Sequence, residues 1–201
     1  FFFFFLSLCL FPAAYAAGDE KPELPADPDI LAKAALLVDA NTGGIVYAKN
    51  EHQELYPASL TKIMTALLTL EAIDEGKLSM DQNLTATATA LEGLSADGSS
   101  ANIQVGETMS VRNLLYCMLV VSANEACDIL AEGVSGSVSA FVDAMNQRAR
   151  ELGMQDTHFV NCTGLDDDDT AKQHRTSAYD IALMSRELLK NHPLIKKYTT
   201  I

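Results

Sequence analysis

Two short apolar runs open the chain, Ala34 to Val38 and Ile45 to Ala48, with Asn41-Thr42-Gly43-Gly44 between them. Two such runs around turn residues predict a β-hairpin, because glycine accepts the positive φ that tight turns demand. Pro57-Ala58 breaks the chain. Ile63, Ala66, Leu67, Leu70 and Ile73 then recur at helical spacing and predict a helix with one inward stripe. From Leu78 to Gly106 the chain is rich in Ser, Thr, Ala and Gly and has no strong period. Val111, Leu114, Leu115, Met118 and Leu119 predict a second, very apolar helix, with Ser122 one turn beyond Met118 on the same buried stripe. A third helix is expected from Asn124 with Ala126, Ile129 and Leu130 inside, and a fourth over Val138 to Leu152 with Phe141, Ala144, Met145 and Ala149 on one face. Asp166 to Asp169 read as a solvated acidic loop, and Thr176-Ser177 can cap a fifth helix over Ala178 to Lys190, ended by Asn191-His192-Pro193. A hairpin followed by a mostly helical middle predicts a mixed α/β (α+β) fold.

The N-terminus reads differently. Phe1 to Phe11 is apolar and is followed by Pro12-Ala13-Ala14-Tyr15-Ala16-Ala17. An apolar core followed by Ala-x-Ala is the pattern of a secretory signal, expected to be cut after Ala16, with its charged start clipped from the record. Residues 1–16 are therefore assigned to a signal peptide, 17–33 to a linker and 34–201 to the main folded unit, in an extracytoplasmic protein.

Composition narrows the partners. The 201 residues carry 27 acids against 14 bases, a net charge of −13. Phosphate neutralisation requires a basic patch, and the densest basic spot is Lys196-Lys197, so nucleic acid is excluded as a partner. Cys117, Cys127 and Cys162 would remain after signal cleavage, an odd number and a poor disulfide framework. All three are expected to be buried, with Cys117 and Cys127 in one helical stretch. His52, His158, His174 and His192 are scattered outside any metal-binding spacing.

Two constellations carry chemistry. Ser59-Leu60-Thr61-Lys62 stands at the start of the first helix, where residues three apart share a face, so the Lys62 amine can reach the Ser59 hydroxyl. A serine is a weak nucleophile until a base takes its proton. A capping role would favour Glu or Gln at position 62, and a lysine there opposes the helix dipole. That field, with burial, lowers the lysine pKa toward a neutral base. The second constellation is Ser122-Ala123-Asn124. Its polar groups cost roughly 1–3 kcal/mol each if buried without partners, so they either bond locally or face a polar cavity.

Together these motifs resemble the low-molecular-mass D-alanyl-D-alanine carboxypeptidases, within the serine β-lactamase/DD-peptidase fold. The resemblance runs from Ala34 to the end. It includes Ala35-Leu36-Leu37-Val38-Asp39-Ala40-Asn41-Thr42-Gly43, Tyr47, Pro57-Ala58-Ser59-Leu60-Thr61-Lys62-Ile63-Met64-Thr65, Ser122-Ala123-Asn124, Asn161 with Gly164-Leu165, and Ala178-Tyr179-Asp180. It implies that Ser59 is the acylated nucleophile, Lys62 its general base, Ser122 a proton relay and Asn124 a substrate-binding residue. The implied substrate is the peptidoglycan pentapeptide, the implied inhibitors are β-lactam antibiotics, and no metal or organic cofactor is implied.

The family's third motif, Lys-Thr-Gly or Lys-Ser-Gly, does not occur; Cys162-Thr163-Gly164 lacks the lysine and precedes the fifth helix. The expectation is a truncated record whose C-terminal strands are missing, inactive as it stands, with any membrane association residing in a missing C-terminal segment. Two alternatives remain. A class A-like β-lactamase would need a deacylating carboxylate after Ser122, and no Glu-x-x-Leu-Asn stretch follows it. A non-catalytic cell-wall-binding protein on the same scaffold would not need Ser59 and Lys62 intact.

Overall fold

A computed structural model describes residues 29–94, 98–166 and 173–199. Residues 1–16, read from sequence as a signal peptide, residues 17–28 and all of the acidic run except Asp166 lie outside them. The far end of the linker runs beside the hairpin, where Lys49 Nζ donates to the Ile30 carbonyl and Asn50 Nδ2 donates to the Lys33 carbonyl at 2.9 Å.

The hairpin forms where the apolar runs place it. β1 (Ala35–Val38) pairs antiparallel with β2 (Ile45–Lys49), with Ala35 opposite Lys49 and an irregularity between Leu37 and Val38. Asp39 builds the turn. Its Oδ1 accepts from the backbone N–H of Asn41 at 3.0 Å and of Thr42 at 2.7 Å, while Gly43 takes φ +76°.

Among the described residues, five helices of ten residues or more follow: α1 (Lys62–Asp74), α2 (Val111–Val120), α3 (Asn124–Ser135), α4 (Val138–Glu151) and α5 (Ala178–Asn191). A short α6 (Lys196–Thr199) follows the turn Pro193–Ile195. The α3 helix is central and packs on α1, α2 and α4. Leu67, Leu114, Leu115, Leu130, Phe141 and Met145 are fully buried around it.

The α1 helix is enclosed more completely than a single stripe. Ala66, Leu67 and Leu70 are buried and Ile63 and Ile73 half-buried, but Met64, Thr65, Thr69 and Ala72 are buried too, because α2, α3, α4 and α5 all touch this helix. Its threonines are satisfied. Thr65 Oγ1 donates to the Cys162 carbonyl and Thr69 Oγ1 to the Thr65 carbonyl, both at 2.7 Å.

The stretch from Leu78 to Gly106, which has no strong period in sequence, contributes β3 (Asn83–Thr85), which pairs with β4 (Thr108–Ser110), with Leu84 opposite Met109. Two expectations need correction. Ser122 is not on the second helix. That helix ends at Val120, and Ser122 is half-buried at φ +60° in the link to α3. Cys117 and Cys127 lie on different helices, and Cys117 is only half-buried, while Cys127 and Cys162 are buried.

Candidate active site

The nucleophile turn comes first. Residues Ala58–Thr61 form a 3-10 turn that runs into α1 at Lys62. A 3-10 turn has three residues per revolution, so side chains at i and i+3 eclipse. That geometry puts Lys62 directly beneath Ser59, and Lys62 Nζ lies 3.2 Å from Ser59 Oγ. Ala58 enters the turn at φ +47°.

Burial divides the pair. Ser59 is exposed, while Lys62 retains 4% of its accessible surface. The amine also donates to Asn124 Oδ1 and to the Thr163 carbonyl, each at 2.8 Å. An ammonium has three donors, and here it finds three acceptors. A neutral amine in the same place would keep the Asn124 and Thr163 bonds and turn its lone pair toward the serine. Ser122 completes the cluster, its hydroxyl donating to Ser59 Oγ at 3.0 Å.

Each member is held by a different element. Lys62 begins α1. Asn124 begins α3, and its backbone N–H donates to the Ser99 carbonyl at 2.9 Å. Ser122 reaches the serine because its left-handed backbone turns the chain between α2 and α3. Thr163 lies in a turn shaped by Asn161, whose Oδ1 accepts from the backbone N–H of Thr163 at 3.2 Å and of Gly164 at 2.7 Å.

Gly164 is required where it stands. It takes φ +92°, and a Cβ there would come within 1.9 Å of the Ala58 carbonyl oxygen. The Asn161–Leu165 turn thus seats directly against the backbone of the nucleophile turn.

The surroundings favour a neutral amine. Burial is the main influence and holds Lys62 below the usual lysine range. The Asp128 and Glu125 carboxylates pull the other way. The Cys127 and Cys162 thiols, pushed up by burial, stay protonated at neutral pH and add no charge. Glu125 is itself engaged, accepting from Ser100 Oγ at 2.7 Å and from the Ala101 N–H at 2.6 Å. Among the described residues, no group of three or more His, Cys, Asp or Glu side chains is placed to hold a metal ion.

Ser59, Lys62, Ser122 and Asn124 therefore meet in one set of hydrogen bonds. Sequence reasoning missed the Thr163 carbonyl, because backbone groups carry no residue signature. It also missed Asp128 and His174, which stand behind the site. The Asn161-x-x-Gly164 spacing was the available pointer to Thr163.

Chain and site together define the penicillin-binding-protein class of fold. The described structure superposes on a D-alanyl-D-alanine carboxypeptidase DacD from Francisella tularensis with a TM-score of 0.80 and 39% identity, covering 87% of this chain and 41% of that one. It also superposes on penicillin-binding protein D2 from Listeria monocytogenes in an ampicillin-bound form, with a TM-score of 0.75 and 33% identity over 88% of this chain and 69% of that one. Residues 21–201 match the D-alanyl-D-alanine carboxypeptidase family model, and the chain belongs to that family. One relative, the carboxypeptidase DacF of Bacillus subtilis (strain 168), is 41% identical over 187 residues, which is 92% of this chain and 45% of that protein. The chain thus spans about half the length of such relatives.

Proposed function

We propose that this chain carries the nucleophile and base of a serine-type D-Ala-D-Ala carboxypeptidase acting on peptidoglycan stem peptides outside the cytoplasm. The observation that carries this reading is the Lys62 amine, buried and 3.2 Å from an exposed Ser59 hydroxyl.

Neutral Lys62 takes the Ser59 proton as Oγ attacks the carbonyl carbon of the terminal peptide bond. A new C–O bond forms, and the tetrahedral intermediate then expels the D-alanine amine. Ser122, which donates to Ser59 Oγ at 3.0 Å, would give its hydroxyl proton to that leaving nitrogen and be reprotonated by the Lys62 ammonium, which returns Lys62 to its neutral form. Asn124 is tied to Lys62 through its side-chain oxygen and would orient the substrate amide. Water then attacks the acyl-ester carbon as neutral Lys62 takes its proton, the Ser59 Oγ–C bond breaks, and Lys62 returns that proton to Ser59 Oγ. A β-lactam would acylate the same oxygen, with its ring nitrogen as the leaving group. The family's Lys-Thr-Gly motif is not part of these 201 residues, so substrate-carboxylate binding is assigned to no residue here.

The test uses the product of the complete gene and a fluorescent penicillin. Stoichiometric, long-lived labelling that disappears in Ser59→Ala supports the reading. Labelling that persists in Ser59→Ala refutes the assigned nucleophile, and rapid turnover of the label would favour a β-lactamase.

A further inference from the structure

Near the base lies a buried acid that the proposed reaction does not use. Asp128 sits one turn along α3 from Asn124 and retains 7% of its accessible surface. Its Oδ1 accepts the thiol hydrogen of Cys162 at 2.9 Å. Cys162 in turn is fixed through its backbone, its carbonyl accepting from Thr65 Oγ1 at 2.7 Å. The next residue, Thr163, supplies the carbonyl that receives Lys62 Nζ at 2.8 Å. A carboxyl on α3, a thiol in the 161–165 turn and the amine at the start of α1 thus form one buried assembly.

We propose that Asp128 is a positioning residue for the Lys62 base, acting through the Cys162 thiol on the turn that carries the Thr163 carbonyl and through its charge on the amine. This rests on the assignment of Lys62 as the base.

The two actions oppose each other in a useful way. The hydrogen bond holds the acceptor that aims the amine. The negative charge favours the ammonium, which cannot accept the serine proton. An acid that kept its full charge at every pH would therefore penalise the base. Burial raises the Asp128 carboxyl to about 6, so its charge is relieved as the surroundings become acidic. Several groups act on it together: Cys162 from the turn, Lys62 from α1, and Glu125 and Glu132 from its own helix. Cys127, also on α3, is turned to the Ala123 carbonyl at 3.3 Å.

Asp128→Asn tests the charge while keeping an oxygen to accept the Cys162 thiol. The acylation rate with labelled penicillin, followed against pH on the product of the complete gene, is expected to move its acid limb to lower pH by about one unit. Its plateau should stay within about threefold of the parent, since a conserved hydrogen bond costs little. Asp128→Glu, which restores the charge, should return the limb toward its parental position. A limb that does not move, or a uniform fall at all pH, would overturn the proposal and leave Asp128 a structural residue.

A second readout does not depend on Asp128→Asn folding or on activity. Carboxyl carbon NMR of Asp128 should show its titration shifting upward in Lys62→Met, because the neighbouring cation is gone. An unmoved midpoint would also overturn the coupling. A parent protein that takes no penicillin label while its NMR titration still shifts would count against the enzymatic reading alone.

Discussion

Thr61 Oγ1 and His174 Nε2 meet at 2.7 Å, and both residues are fully buried. The Val160 N–H donates to His174 Nδ1 at 3.0 Å, which leaves the proton of the neutral ring on Nε2, pointing at the threonine. One imidazole thereby joins the segment after α4 to the turn that presents Ser59.

This contact makes the fold acid-sensitive at a defined place. Burial lowers His174 from 6.5 to about 4. Between those values the unfolded chain binds a proton that the folded chain refuses, so the contribution is complete above 6.5 and is lost as pH falls through 4. Asp128, raised by burial, works in the opposite direction over part of this range, so the parent curve alone mixes the two. The stability difference between the parent and His174→Gln isolates the histidine. It should shrink by on the order of 3 kcal/mol as the solution is acidified, read from urea unfolding at a series of pH values.

Gly164→Ala should damage the site more than the fold average. The added methyl would meet the Ala58 carbonyl oxygen at 1.9 Å, and the φ of +92° is costly for any residue with a Cβ. Steric relief requires the Asn161–Leu165 turn to back away from the nucleophile turn, taking the Thr163 carbonyl from Lys62. Backbone strain alone is worth about 1–3 kcal/mol. The expected outcome is a lower melting temperature together with an acylation rate reduced by more than the stability loss explains, measured by thermal unfolding and penicillin labelling of the same preparation. An unchanged labelling rate would show that the turn does not position the base.

Legibility followed the reach of the signal along the chain. The β1–β2 hairpin and the later helices were readable because their periods and stop signals are local: Ser177 caps α5, and its side chain accepts from the Asp180 N–H. Ser59 and Lys62 were readable because three residues of spacing fix their relative position once the turn forms. The β3–β4 pair was not, because Leu84 finds Met109 across a long connection and each strand is only three residues long. Ser122 was misplaced onto the α2 stripe because a single left-handed residue leaves no trace in a hydrophobic pattern. His174 reads as an ordinary histidine until the fold brings Thr61 to it from 113 residues away.

Ser177→Ala provides a calibration outside the Ser59, Lys62, Ser122 and Asn124 hydrogen-bond set. The lost cap should cost about 1 kcal/mol, the usual value for a serine N-cap. The α5 helix also anchors the hairpin turn through Arg186, which donates to the Ala40 and Asn41 carbonyls at 2.9 Å each. Fraying at residue 177 lies at the opposite end of α5 from that anchor. Denaturant unfolding should therefore shift while acylation per folded molecule stays at the parental rate.

Lys62→Arg separates charge from basicity. A guanidinium stays protonated at any pH a protein survives, so it can donate to Asn124 Oδ1 and the Thr163 carbonyl but cannot take the serine proton. Loss of a general base typically costs about 10²–10⁴ in rate. Acylation of the complete gene product by penicillin should fall by that order in Lys62→Arg and, if the amine is the base, by a similar factor in Lys62→Met. Burial depresses the lysine pKa, so the parental rate should rise with pH as the amine loses its proton, and this limb should vanish in both variants. A Lys62→Met protein that retained a parental rate and pH profile would mean that another group deprotonates Ser59, and the buried amine would then be only an anchor for Asn124 and Thr163.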